Sequence, residues 1–159
     1  MNKTIIIVIA VLLLFTACKD RSKESNATNN NQTEHREQQT ESNAFGNDWM
    51  QEIKTNDGAK WIANPETNEG VLRMKTVLTT TKTKHLNDYH AMADALNKEK
   101  NYIVKECTMK GPSHDNLHLW LLPLIEKIEA LKEANSLDQA QHIYMNIEQN
   151  VNAYDDYFE

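Results

Sequence analysis

From Asn64 to the C-terminus the apolar residues fall into four stripes, each spaced three or four residues apart. That spacing marks one face of an α-helix. The first stripe is Thr67, Val71, Met74 and Leu78, opened by Asn64-Pro65-Glu66, which supplies a cap, a proline at the first position and an acid in the first turn. It fails in the β-branched cluster Thr79–Thr83. The second begins near Thr83 and runs through Leu86, Tyr89, Ala93, Leu96, Lys100, Ile103 and Cys107, with Lys100 expected to snorkel. Gly111 then reads as the closing residue of that helix, Pro112 as a bar to its continuation, and Ser113 as the cap of the next. The third stripe is His114, Leu117, Leu121, Leu124, Ile128 and Leu131, with Pro123 inside it. Ser136-Leu-Asp-Gln139 reads as a capping box. It opens the fourth stripe, Leu137, Ala140, Tyr144, Ile147, Val151, Tyr154 and Phe158, an unbroken repeat to the end.

Four amphipathic helices joined by short connections predict an all-α fold, an antiparallel up-down-up-down four-helix bundle. The domain covers residues 44–159. Its lead-in holds a short turn of helix around Asp48–Lys54 with Trp49, Met50 and Ile53 on one side. A turn at Asn56-Asp57-Gly58 follows, and then an extended Trp61-Ile62-Ala63.

Ahead of the domain the pattern changes twice. Met1-Asn-Lys3 is a short positive start, and Ile5 to Phe15 is almost wholly apolar. The apolar run is shorter than the ~20 residues a spanning helix needs and fits the core of a secretory signal peptide. Residues 18–43 are Asn, Gln, Thr, Ser, Glu and Lys with almost nothing apolar, a composition that cannot bury enough surface to offset its ordering entropy. They read as a disordered tether reaching roughly 25–30 Å as a flexible coil. Between the two stands Thr16-Ala17-Cys18, which resembles the lipobox of bacterial lipoproteins. That resemblance implies removal of residues 1–17, lipidation of Cys18 and anchoring to the bacterial outer or cytoplasmic membrane. The domain would then lie outside the cytoplasm, in the periplasm or at the cell surface.

Charge narrows the partners. The chain carries 17 basic and 23 acidic residues, a net charge of −6, which points away from nucleic acid. Catalysis finds no support, because there is no nucleophile–base–orienter set and no phosphate-cradling loop, with only four glycines in the chain. The chain reads as no enzyme.

The bundle topology gathers chemistry at one end, where helices one and three begin and helices two and four finish. Cys107, Met109, His114 and His118 fall there, together with Met74, Tyr154 and Asp155. Thiolate, thioether and imidazole suit copper or zinc. His114 and His118, four apart, share a helical face, and Asp115 is placed to orient one of them from the second shell. The last helix adds a resemblance to the periplasmic four-helix-bundle cytochrome b, carried by Ala140-Gln141 and Asn152-Ala153-Tyr154. The resemblance implies the same bundle and a haem at this end, with a methionine near the start of helix one opposite a histidine just after the tyrosine. Met74 stands near the first position; Asp155 occupies the second, leaving His114 or His118 as substitute ligands. The expected function is non-catalytic binding of a transition metal or haem by a membrane-anchored envelope lipoprotein. The competing expectation is a structural or protein-interaction lipoprotein with no bound cofactor, facing an envelope protein partner.

Overall fold

The computed structural model describes residues 45–159. The expected signal peptide, the expected lipidation site Cys18 and the expected tether lie outside the described residues. The rest is the expected all-α four-helix bundle: α1 (Pro65–Thr80), α2 (Leu86–Glu106), α3 (Pro112–Glu133) and α4 (Leu137–Asn152), with a terminal turn of helix, α5 (Tyr154–Tyr157). Each long helix packs on the next, α1 also meets α4, and α2 and α4 touch across the diagonal.

The stripes face inward. Thr67, Val71, Met74 and Leu78 of α1 are buried, as are Tyr89, Ala93, Leu96 and Ile103 of α2 and Leu117, Leu121, Leu124, Ile128 and Leu131 of α3. Burying each such side chain stabilises the fold by roughly 1.5–3 kcal/mol before entropy is counted. Gly70 sets the closeness of α1 and α2. A Cβ built there would lie 2.3 Å from Ile103 Cγ1, so only glycine admits this approach.

The helix starts follow local chemistry. The backbone N–H groups of Lys84 and His85 donate to Asp88 Oδ2 at 2.9 and 2.8 Å, so α2 begins at Leu86 rather than Thr83. These two bonds hold the Asp88 carboxyl below its usual range. Ser136 Oγ accepts from Gln139 N at 3.1 Å, and Gln139 Oε1 accepts from Asn135 N at 2.9 Å.

Two boundaries depart from the sequence reading. Helix α2 stops at Glu106, and Gly111 belongs to α3 as the residue before its first proline. Its φ of 66° is one that side chains rarely adopt. Ser113 is therefore inside α3, where its hydroxyl donates to the Lys110 carbonyl at 3.3 Å instead of capping. The fourth stripe is also broken. Helix α4 ends at Asn152, and α5 finishes before Phe158, which is extended.

That extended tail meets the lead-in. Trp61 and Phe158 form a parallel bridge, in which Trp61 N donates to Tyr157 O at 2.7 Å, Glu159 N to Trp61 O at 3.0 Å and Ala63 N to Glu159 O at 2.8 Å. Upstream, a 3-10 turn at Asp48–Gln51 buries Trp49 and packs on α3. The turn at Asn56-Asp57-Gly58 is closed by mutual backbone bonds between Asn56 and Ala59. The lead-in thus straps the end of the bundle to which the sequence assigns ligand chemistry.

Candidate functional site

The turn between α2 and α3 and the first two turns of α3 carry the sequence-predicted site. Cys107 caps the end of α2 in an extended conformation, half-buried against the core, and Met109 packs there in the same way. His114 is half-buried, while Asp115 and His118 are exposed. The two imidazoles do come together, with ring centroids 4.2 Å apart. Among the described residues, however, no three His, Cys, Asp or Glu side chains are grouped to hold a metal ion. The turn brings Cys107 to the same end as the histidines but not into a ligand set with them.

The interior of this end is filled. Trp120 meets Tyr154 edge-on at 5.0 Å, Tyr154 stacks on Phe158 at 4.8 Å, and the Tyr154 hydroxyl donates to Asn68 Oδ1 at 2.7 Å. Burial pushes the Tyr154 phenol up, and the neighbouring Asp155 and Cys107 add to the effect. Met74 is a fully buried core residue. Asp155 points outward and pairs with Lys75 at 2.5 Å. The positions that the cytochrome resemblance assigns to haem therefore carry a packed thioether and a surface carboxylate.

Compared with known proteins, the chain matches no family model, no curated protein and no solved structure. The residues must speak for themselves.

At the opposite end His90 and His142 have plain structural work. His90 Nε2 bonds the Ala134 carbonyl at 2.9 Å, tying α2 to the end of α3, and His142 Nδ1 bonds the Asp138 carbonyl at 2.9 Å.

Two features escaped the sequence reading. The first is a buried polar hub on α3. Lys127 is 1 % exposed, and its ammonium donates to Asn47 Oδ1 and Asn150 Oδ1, each at 2.6 Å. Asn150 Nδ2 donates to the Trp120 carbonyl at 3.2 Å, Trp120 Nε1 returns a bond to the Asn150 carbonyl at 2.8 Å, and Trp49 Nε1 donates to Asn47 Oδ1 at 2.9 Å. Among the described residues no carboxylate bonds the ammonium. Burial therefore pulls the Lys127 pKa down to about 8, against a smaller upward pull from Glu126 and Asp48. Its position between Leu124, Ile128 and Leu131 is the sequence signal: a lysine on an inward stripe.

The second is an open groove of about 350 Å³ between the 3-10 turn and α3, lined by Gly46, Asp48, Trp49, Glu52, His118, Leu119, Leu122 and Pro123. Leu122, on its α3 side, is 54 % exposed. More than half of this leucine is left uncovered by the described domain.

Proposed function

We propose that this chain is a lipid-anchored envelope lipoprotein, held to the membrane through Cys18, whose bundle works by binding another protein and carries no resident cofactor. The observation that supports it best is the groove beside α3, where apolar surface is left open at the strapped end of the bundle. Contiguous exposed apolar surface rimmed by polar residues commonly marks protein contacts. The ligand chemistry expected at this end is less well supported, since Cys107 does not join His114 and His118.

Photo-crosslinking in cells tests the reading on the full-length chain. A photoreactive residue is placed in turn at Ile62, Leu72, Leu122 and Met145, all more than half exposed. A discrete protein adduct from Leu122 is the expected result. The absence of an adduct from all four positions overturns the reading.

A second reading rests on the paired imidazoles. His114 and His118 offer two nitrogen donors on one helix face, a donor type that suits copper or zinc. Titrating the purified full-length protein with Cu(I), Cu(II), Zn(II) and haem separates the two readings. Micromolar or tighter binding that is lost in His114→Ala makes this a metal or haem carrier, sensor or buffer, with Cys107, Met109 and Asp115 open to recruitment. Unchanged spectra and melting curves leave the protein-binding reading standing.

A further inference from the structure

The groove has a charge as well as a shape. Asp48 and Glu52 stand in its lining, and neither carboxylate has an ion pair or side-chain hydrogen bond among the described residues. Glu126, exposed on α3, lies four residues after Leu122, so it extends the same helical row. Lys127, whose ammonium feels both Asp48 and Glu126, is buried and committed to two asparagine oxygens. Leu119 and Pro123 of the lining span the proline break in α3. Pro123 has no N–H to offer the Leu119 carbonyl one turn earlier, so α3 leaves that oxygen without its usual partner. Apolar contact comes from Leu119, Leu122 and Pro123.

Resting on the protein-binding reading above, we propose that this groove takes a basic segment of a partner protein, one that presents lysine or arginine beside an aliphatic side chain. The cation would meet Asp48, Glu52 and Glu126, and the aliphatic group would cover Leu122. An anionic membrane surface meets the wrong sign of charge here. So does a second copy of this chain, whose net charge is −6.

The test uses full-length protein in detergent with a photoreactive residue at Leu122, and at Met145 on α4 as a control. The probe is a short synthetic peptide of lysine and leucine, paired with a version in which glutamate replaces lysine. The expected result is adduct formation at Leu122 with the lysine peptide only, weakened by salt, as exposed charge pairs are. The triple variant Asp48→Asn, Glu52→Gln, Glu126→Gln should raise the half-saturating peptide concentration by about tenfold or more. Single variants provide the same readout if the triple variant does not fold. Equal labelling at Met145, equal labelling by the glutamate peptide, or indifference to the carboxylate variants overturns the proposal. An in-cell adduct at Leu122 that ignores those variants removes the basic partner and keeps the protein-binding reading; no in-cell adduct from any position removes both.

Discussion

Helix α3 carries two polar sites that could hardly differ more. Near its start, His114 and His118 bring their rings together, one half-buried and the other exposed. Lys127, two to three turns on, is sealed in the core with two short bonds to asparagines from different elements. The histidines are the residues that sequence chemistry singles out; the lysine is the residue that the fold has organised. Placement by topology brings groups to one end of a bundle within one or two turns of helix. A binding site needs them within a bond length, and here only the buried hub meets that standard.

The contrast can be broken most severely at Trp120, which carries the hub's link to α4. Trp120→Ala should cost about 3–5 kcal/mol, the usual penalty for emptying a buried aromatic site, read as a drop in the urea midpoint. The hub should also declare itself through pH. Burial pulls the Lys127 ammonium down to about 8 in the folded chain, against 10.5 when it is free in water. The unfolded chain therefore holds the extra proton between those values, and stability from this group rises with pH there. The gain between pH 8 and 10 is about 2 kcal/mol. Tyr144, whose phenol burial and the Glu148 bond push up to about 12, acts oppositely above pH 10, because its unfolded form ionises first. Denaturant titrations across pH 8–10 should show the rise in the parent and a flat profile in Lys127→Met.

A third substitution probes packing outside both sites. Gly70→Ala forces its Cβ onto Ile103 and should destabilise by about 1–3 kcal/mol. Much of that loss should be relieved when Ile103→Ala is added, in a double-mutant cycle. The smallest effect is expected at the other pole of the comparison. His118→Ala, on an exposed ring, should change stability by about 0.5 kcal/mol or less. A larger loss, or one that depends on added zinc, would move the histidine pair into the organised class.

Much of the frame was legible because each stripe had to bury its own face. Val71, Met74, Leu96, Ile103, Leu117 and Leu131 needed no partner to be read as core. What was lost depended on other chain segments. Trp120 and Lys127 belong to the inward face of α3, but nothing local says that Asn47, eighty residues upstream, supplies an acceptor for the lysine. The α2–α3 turn was misread for a different reason. Gly111-Pro112 is equally good punctuation for the end of one helix and the start of the next, and the choice was made by the extended Cys107. The break after Asn152 likewise goes with Phe158 pairing with Trp61, a contact between the C-terminal tail and the lead-in.

That pairing has a mechanical side. Tension applied at Phe45 enters the folded unit through the lead-in before it meets any of the four long helices. It reaches first the Asn47 bonds to Lys127, Gln149 and the Asn146 carbonyl, then the Trp61–Phe158 bridge, and only afterwards Asn64 and α1. A pulled molecule should therefore peel its strap as a separate early event, dismantling the groove beside α3 while the bundle still holds.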